Sequence, residues 1–157
     1  RVLRGAEVAY FPGISQAEDA ARFAIEEMGM LMVEMPYARW TESEDRELID
    51  FSHALASSAD TGMQIRVLLA HVDRYVDFQE HSVFHDHNVF EELHRHDIQM
   101  QINTAAFMNR HGRHAALEMI RKGYVRYIGT DMHNMTDKPP NLDKVSWESL
   151  RFSVYEV

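Results

Sequence analysis

The chain has 157 residues, 45% of them hydrophobic, and 25 acidic against 16 basic residues give it a formal charge of -9. This length and apolar content are typical of a globular protein, and we predict a single domain over residues 1–157. The negative charge disfavours a nucleic-acid partner, because it repels phosphate backbones. The sequence has no Cys, which excludes disulfides and thiolate zinc sites and leaves His, Asp and Glu as metal ligands. No apolar run is long enough to span a membrane, so we expect no membrane insertion and a cytoplasmic location.

Apolar runs rich in β-branched residues alternate with segments of helical period along the chain. This alternation predicts an α/β fold built around a mainly parallel sheet. The predicted strands are Val2 to Val8, Met30 to Met35, Gln64 to Ala70, Ile98 to Ile102 and Val125 to Gly129.

Helical segments with recognisable ends lie between these strands. Capping-box spacing marks two predicted starts, at Ser15 with Glu18 and at Thr41 with Glu44. Gly29 and Gly123 are expected to end the first and the last helix. The predicted helices comprise residues 17–28, a segment carrying Leu48 to Leu55, residues 88–96 and residues 114–122.

Each predicted strand leads into a polar side chain that is able to bind a metal or to orient a ligand. These residues are Glu7, Glu34, His71, Asn103 and Asp131, with His133 two positions further on. Because ligands gather at the carboxyl ends of parallel strands, we expect the side chains to converge. Mixed imidazole and carboxylate ligation suits Mn²⁺, Fe or Zn²⁺. Arg74 is placed to clamp phosphate oxygens, so the set indicates metal-assisted hydrolysis of a phosphate ester.

Simpler explanations exist for each of these residues taken alone. An Asp-x-His pair such as Asp131 and His133 is more often a loop or a cap. His71 would also fit as a core histidine with satisfied hydrogen bonds, and Arg74 with Asp73 as a surface ion pair. Glu34 and Asn103 are expected to orient ligands or to form structural hydrogen bonds, rather than to bind metal directly.

The densest group of histidines lies in "HSVFHDHNVFEELHRH", residues 81–96. It contains two H-x-H pairs, His85 with His87 and His94 with His96. They occur in a polar loop or on a short helix, where residues two apart do not share a face. We therefore expect a solvated, pH-sensitive surface rather than the main metal site.

Five short segments occur in the order and spacing of the PHP (polymerase and histidinol phosphatase) superfamily. They are "GAEV" at 5–8, "MLMVEMPYARW" at 30–40, "LLAHVDRY" at 68–75, "QINTAAF" at 101–107 and "IGTDMHN" at 128–134. Within the superfamily, the chain resembles most the bacterial manganese-dependent protein-tyrosine phosphatases of capsular and exopolysaccharide operons. The resemblance extends from Gly5 to about Leu142.

The resemblance implies a distorted (β/α) barrel of seven strands with up to three metal ions at the strand ends, Mn²⁺ first and Fe or Zn²⁺ as alternatives. It implies Glu7 as a bridging carboxylate and His71, Asp131 and His133 as ligands. Arg74 would be the family's phosphate-binding arginine. The implied substrate is phosphotyrosine on the tail of the tyrosine kinase that controls polysaccharide chain length and export.

Three departures from the family pattern affect what we expect. The motif A-H-P-E-R-Y has Val72 and Asp73 at its third and fourth positions here, which should be tolerated. Lys138 stands where the family commonly has an Arg, and it keeps the charge without the planar fork. The family's opening H-x-H strand has no match before Gly5. Either the chain is the carboxyl-terminal two-thirds of the family domain or the protein has lost half of its metal ligands. We expect the first, because a freestanding piece would expose an unpaired strand edge and an open core. A chain that really began at Arg1 should bind metal poorly and hydrolyse little.

Two other functions remain open at the level of sequence. One is a PHP phosphatase for a small molecule such as histidinol phosphate. The other is a catalytically inactive domain that binds the kinase or the assembly machinery. The sequence does not decide whether the protein forms a homo-oligomer.

Overall fold

The computed structural model describes residues 5–17, 19–57, 64–76, 88–108, 110–131 and 141–145. Its strands form one five-stranded sheet in which neighbours are parallel and the spatial order follows the chain order. The strands are β1 (Glu7–Ala9), β2 (Met30–Glu34), β3 (Arg66–Leu69), β4 (Gln99–Asn103) and β5 (Val125–Gly129). The predicted α/β class with a parallel sheet is therefore confirmed.

The first strand differs from the prediction of Val2 to Val8, because β1 begins at Glu7 and ends at Ala9. Gly5 and Ala6 precede the strand, and residues 1–4 lie outside the described residues. The Ala6 N–H donates to the Phe23 carbonyl rather than to a strand. A Cβ at Gly5 would lie 2.3 Å from Ile25 Cγ1, so a side chain larger than glycine's would not fit there.

Three α-helices accompany the sheet: α1 (Glu42–Ser57), α2 (Val89–Arg95) and α3 (Arg110–Arg121). The capping box of α1 is present: the Thr41 N–H donates to Glu44 Oε2 at 2.7 Å, and the Glu44 N–H donates to Thr41 Oγ1 at 3.3 Å. Asn88 Oδ1 caps α2 by accepting from the Glu91 N–H. Gly123 follows α3 with a φ of 77°, in the left-handed region expected for this residue.

The helix predicted over residues 17–28 is wrong. Three short 3₁₀ turns replace it, at Ile14–Gln16, Ala20–Phe23 and Glu26–Met28. Ser15 lies inside the first turn rather than before it, and Glu18 lies outside the described residues. Tertiary contacts divide the segment: Glu47 on α1 accepts the Gly13 N–H, and Ile25 forms an antiparallel bridge with Met30.

A single apolar core joins the central strands to the helices. Leu31, Val33, Val67 and Leu69 are fully buried, as are side chains of all three helices. Burying each large apolar side chain contributes about 1.5–3 kcal/mol. This packing fixes the carboxyl ends of β2, β3 and β4, the edge at which the predicted site residues lie. No helix in the described ranges is long and apolar enough to cross a membrane.

Candidate metal centre

Three side chains from neighbouring strands meet at the carboxyl end of the sheet. Glu7 comes from β1, Glu34 is the last residue of β2, and His71 follows β3 by two residues. Their ligand atoms all lie within 4.8 Å of one another. His71 Nε2 is 3.5 Å from Glu7 Oε2 and 3.3 Å from Glu34 Oε1. The structure thus gives Glu34 the same access to a metal as Glu7, although the sequence predicted only an orienting role for it.

The neighbours of His71 fix the direction of its ring. Its backbone is left-handed with a φ of 34°, and its N–H donates to Gln101 Oε1 at 2.7 Å. The Tyr75 hydroxyl donates to the Met35 carbonyl at 3.0 Å and lies 3.4 Å from His71 Nδ1. Because the hydroxyl proton points to Met35, the hydroxyl oxygen can accept a hydrogen bond from the His71 Nδ1–H. This arrangement leaves a lone pair on Nε2, directed at the two carboxylates.

Electrostatics favour the neutral form of that ring. Burial lowers the pKa of His71, and the Arg74 charge lowers it further. Burial raises the pKa of Glu7, and the nearby charges of Glu34 and Asp131 add to the shift.

His71 is only 2% exposed, and its Nε2 has no hydrogen bond to any residue that the structure describes. The alternative of a satisfied core histidine is therefore wrong. A lone pair and two carboxylate groups facing one another repel unless a cation or a shared proton lies between them. One imidazole and two carboxylates form a ligand set that suits Mn²⁺, Fe or Zn²⁺, so the residues fit a metal.

Arg74 connects Asp131, which follows β5, to the group of Glu7, Glu34 and His71. Its Nη2 bonds Asp131 Oδ2 in a short contact, and its Nη1 lies 3.8 Å from Glu34 Oε1. The two side chains are largely buried, with exposures of 26% for Arg74 and 14% for Asp131. Asp73 faces elsewhere, since its Oδ1 accepts the Asn103 N–H at 2.7 Å. The alternative of a surface pair between Arg74 and Asp73 is therefore wrong.

Gln101 was missed by the sequence prediction, although it supports the site from behind. Its Oε1 accepts the His71 N–H, while its Nε2 donates to Asn103 Oδ1 at 3.0 Å and to the Ile102 carbonyl at 2.7 Å. Gly129 makes room for it, because a Cβ there would lie 2.5 Å from Gln101 Nε2. A glutamine between Met100 and Ile102, in a strand whose residues are all buried, was the available signal.

Several of the other residues considered for the site lie outside the residues that the structure describes. His133 and Lys138 lie outside the described residues, as do His81, His85 and His87. His94 and His96 are described, at the end of α2 and just after it, and neither belongs to the group of Glu7, Glu34 and His71.

Comparison with known proteins adds a family to this geometry. No curated protein matches the chain significantly. Among solved structures, the fold is similar to a chain from the crystal structures of YwqE from Bacillus subtilis and CpsB from Streptococcus pneumoniae, described as unique metal-dependent tyrosine phosphatases. The TM-score is 0.71 and the identity 14%, over 99% of this chain and 59% of that one. At this identity the likeness shows the fold alone.

A family model described as capsular polysaccharide synthesis, CpsB/CapC, matches residues 1–150. The match covers nearly the whole sequence, including every residue of the metal centre. The chain therefore belongs to the CpsB/CapC family of capsular polysaccharide synthesis.

Proposed function

We propose that this chain belongs to a metal-dependent phosphatase that removes phosphate from tyrosine residues of a protein. The observation that carries the proposal is the convergence of Glu7, Glu34 and His71, with His71 Nε2 buried and without a hydrogen bond among the described residues. Family membership and the fold shared with metal-dependent tyrosine phosphatases support it. The chain spans 59% of the similar solved chain, so the activity is proposed for the protein that contains it.

Glu7, Glu34 and His71 would hold the metal, and we propose Asp131 and His133 as further ligands. Mn²⁺ is the proposed ion, with up to three ions in the complete domain and with Fe or Zn²⁺ as alternatives. A bound divalent ion supplies Lewis acidity and an acidified water at neutral pH. The carboxylates of Glu7 and Glu34 would hold an ion near the strand ends, and Tyr75, next to Nδ1, keeps His71 Nε2 turned towards these carboxylates.

Arg74 would bind the phosphoryl oxygens of the substrate. Its guanidinium is planar, always charged and suited to bidentate contact with phosphate. In the structure it contacts Asp131 and lies near Glu34, which hold it at the edge of the metal centre. A phosphoryl group, like the Asp131 carboxylate, has negatively charged oxygens that accept hydrogen bonds from the guanidinium. Lys138 is proposed as a second cation for the same oxygens.

We also propose that the sheet is the larger part of a seven-stranded distorted barrel. In a flat sheet β1 and β5 would lie about 19 Å apart, at roughly 4.8 Å per strand. Yet the charge of Asp131, after β5, raises the pKa of Glu7 on β1, and Arg74 from β3 reaches Asp131. Such proximity supports a sheet that curves around the metal centre.

The proposed substrate is the phosphotyrosine tail of a tyrosine kinase of polysaccharide synthesis, in keeping with the family. A cytoplasmic location and a single domain over residues 1–157 stay predictions.

The test of the proposed function compares hydrolysis of a phosphotyrosine peptide with hydrolysis of histidinol phosphate, both with added Mn²⁺. We expect turnover of the peptide, its loss in His71→Asn, and its retention in the surface control His94→Gln.

Two results would overturn the proposal. Preferential hydrolysis of histidinol phosphate would assign a small-molecule phosphatase. Turnover of neither compound by folded protein, checked by circular dichroism, would instead support an inactive domain that binds its partners.

A further inference from the structure

A second pair of histidines lies at the other end of the sheet. His53 is near the end of α1, which leads towards β3, and His96 directly follows α2, which leads towards β4. Both therefore lie at the amino ends of the strands, whereas Glu7, Glu34 and His71 meet at the carboxyl ends. The two rings line a shallow surface cavity of about 280 Å³ together with Arg66 and Asp97.

The two ring nitrogens are at a distance that suits a shared metal ion. His53 Nε2 and His96 Nδ1 are 3.2 Å apart. Two imidazole nitrogens about 2.0–2.1 Å from one ion lie roughly 2.9–3.4 Å apart, depending on the angle between the bonds. A hydrogen bond between two neutral rings gives a similar distance, so the spacing needs a second observation.

Glu92 supplies that second observation. Its Oε1 lies 3.3 Å from His96 Nε2, the ring nitrogen that faces away from His53. A carboxylate at this position accepts a hydrogen bond from the Nε2–H, which keeps the proton on Nε2 and the lone pair on Nδ1, directed at His53. Histidines that bind metals almost always have such a partner on their other nitrogen, because it fixes the tautomer and raises the basicity of the ligand.

The surrounding charges do not oppose a cation. Arg66 is 2.9 Å from the Asp97 carboxylate, and Arg95 pairs with Glu91 and Glu92. Each guanidinium next to the pair is thus neutralised by a carboxylate. The His96 side chain is 34% exposed, so an ion can reach it from solvent.

We propose that His53 and His96 form a second metal site, selective for ions that prefer imidazole, namely Zn²⁺, Ni²⁺ or Cu²⁺. Its ligands differ from the carboxylate-rich centre at the strand ends, and the inference does not depend on the proposed phosphatase activity. On binding, His53 gives up its Nε2 proton and is protonated at Nδ1, and water completes the coordination. The ion then links the end of α1 to the residue that follows α2.

The test is a calorimetric titration of the purified protein with Zn²⁺. His53→Gln and His96→Gln should each remove one binding event that the wild type shows, and the double variant should lose no more than either single variant. His94→Gln is the matched control, because His94 is on the same helix but its ring packs against Tyr124. It should bind Zn²⁺ as the wild type does.

Two further variants test the role of the carboxylate. Glu92→Ala should weaken this Zn²⁺ site by about 10- to 100-fold. Glu91→Ala, which also removes a partner of Arg95, should leave the affinity within about twofold. Zn²⁺ should also raise the melting temperature of the wild type and of His94→Gln, but raise it less in both pair variants.

Unchanged Zn²⁺ stoichiometry and affinity in His53→Gln and His96→Gln, with circular dichroism showing intact folding, would overturn the site. So would a double variant that loses two binding events where each single variant loses one. In that case the two rings would bind metal independently or only hydrogen bond to each other.

Discussion

His71 combines features that are individually unfavourable. Its φ of 34° lies in the left-handed region, which costs a residue other than glycine about 1–3 kcal/mol, and its Nε2 is buried between two carboxylates. The surrounding residues impose this geometry, through Gln101 on its backbone and Tyr75 beside its ring. Strain of this kind is typical of sites where function determines the conformation.

Gln101 should prove important for the stability of this site. Gln101→Leu removes the acceptor of the buried His71 N–H, so we expect the free energy of unfolding to fall by about 1–3 kcal/mol. The affinity for Mn²⁺ should fall with it, since His71 loses its anchor. Denaturant unfolding and metal titration measure the two effects.

Gln99→Leu is the control for this substitution. Gln99 is on the same strand and nearly as buried, but its amide bonds Asp97 rather than His71. This variant should keep the wild-type affinity for Mn²⁺. Equal loss of affinity in both variants would show that Gln101 acts only through general stability.

Arg74 is expected to contribute to turnover through its geometry as well as its charge. Under the proposed function, Arg74→Ala should lower kcat/KM for a phosphotyrosine peptide by about 10²- to 10³-fold. Arg74→Lys should restore only part of the loss, because lysine has no planar fork. Arg126→Ala, at an exposed position of β5, is the control, and a similar loss in that variant would argue against a specific role for Arg74.

For single residues, the sequence predicted which side chains belong to the site better than it predicted which residues they contact. Glu7 and His71 stand out because each adjoins an apolar strand. Gln101 does not, because its importance depends on which residue of β3 lies opposite it, and the pattern of a single strand does not contain that information. For the same reason, the sequence did not indicate how close Glu34 lies to Glu7 and His71.

Among the elements, the strands of the core were predicted well and the amino-terminal segment was not. The buried strands β2 and β3 are short, mainly apolar runs between turns, and β4 alternates polar and apolar residues; both patterns predict strands. Residues 17–28 have helical periodicity, but Ile25 bridges to Met30 at the end of this segment, and Gly13, just before it, donates to Glu47 on α1. Helical periodicity contains no signal for either contact.

Asp45 on α1 should make the stability of the protein depend on pH. Burial, with the charges of Glu44 and Glu42, raises its pKa from 3.8 to about 6, and its Oδ1 has no hydrogen bond among the described residues. Because the folded state holds the proton more tightly, this group lowers the free energy of unfolding as pH rises from about 4 to 6. Above about pH 6, Asp45 lowers the free energy of unfolding by its full amount.

Asp45→Asn should therefore stabilise the protein at neutral pH, by about 1 kcal/mol, and flatten the pH dependence below pH 6. Denaturant unfolding at several pH values measures both effects. Asp50→Asn, at an exposed position on the same helix, should leave the curve unchanged. A less stable Asp45→Asn variant at neutral pH would contradict the assignment.

For the whole molecule, the parallel sheet and its chain-ordered strands bring distant parts of the sequence to one edge. The alternation of strands and helices was enough to predict this arrangement. Periodicity does not predict how far a sheet curves, because curvature depends on twist and on strand pairing. Asp131, after β5, lies near enough to Glu7 on β1 for its charge to raise the pKa of Glu7, and the proposed curved sheet accounts for this proximity.

The central claim is that Glu7, Glu34 and His71 hold a metal ion. A titration with Mn²⁺ followed by electron paramagnetic resonance tests it directly, because the signal of free Mn²⁺ disappears on binding. The wild type and His94→Gln should bind Mn²⁺ alike. His71→Asn should bind at least about tenfold more weakly while remaining folded, since asparagine tolerates the left-handed backbone. Equal affinity of His71→Asn and the wild type would contradict the account.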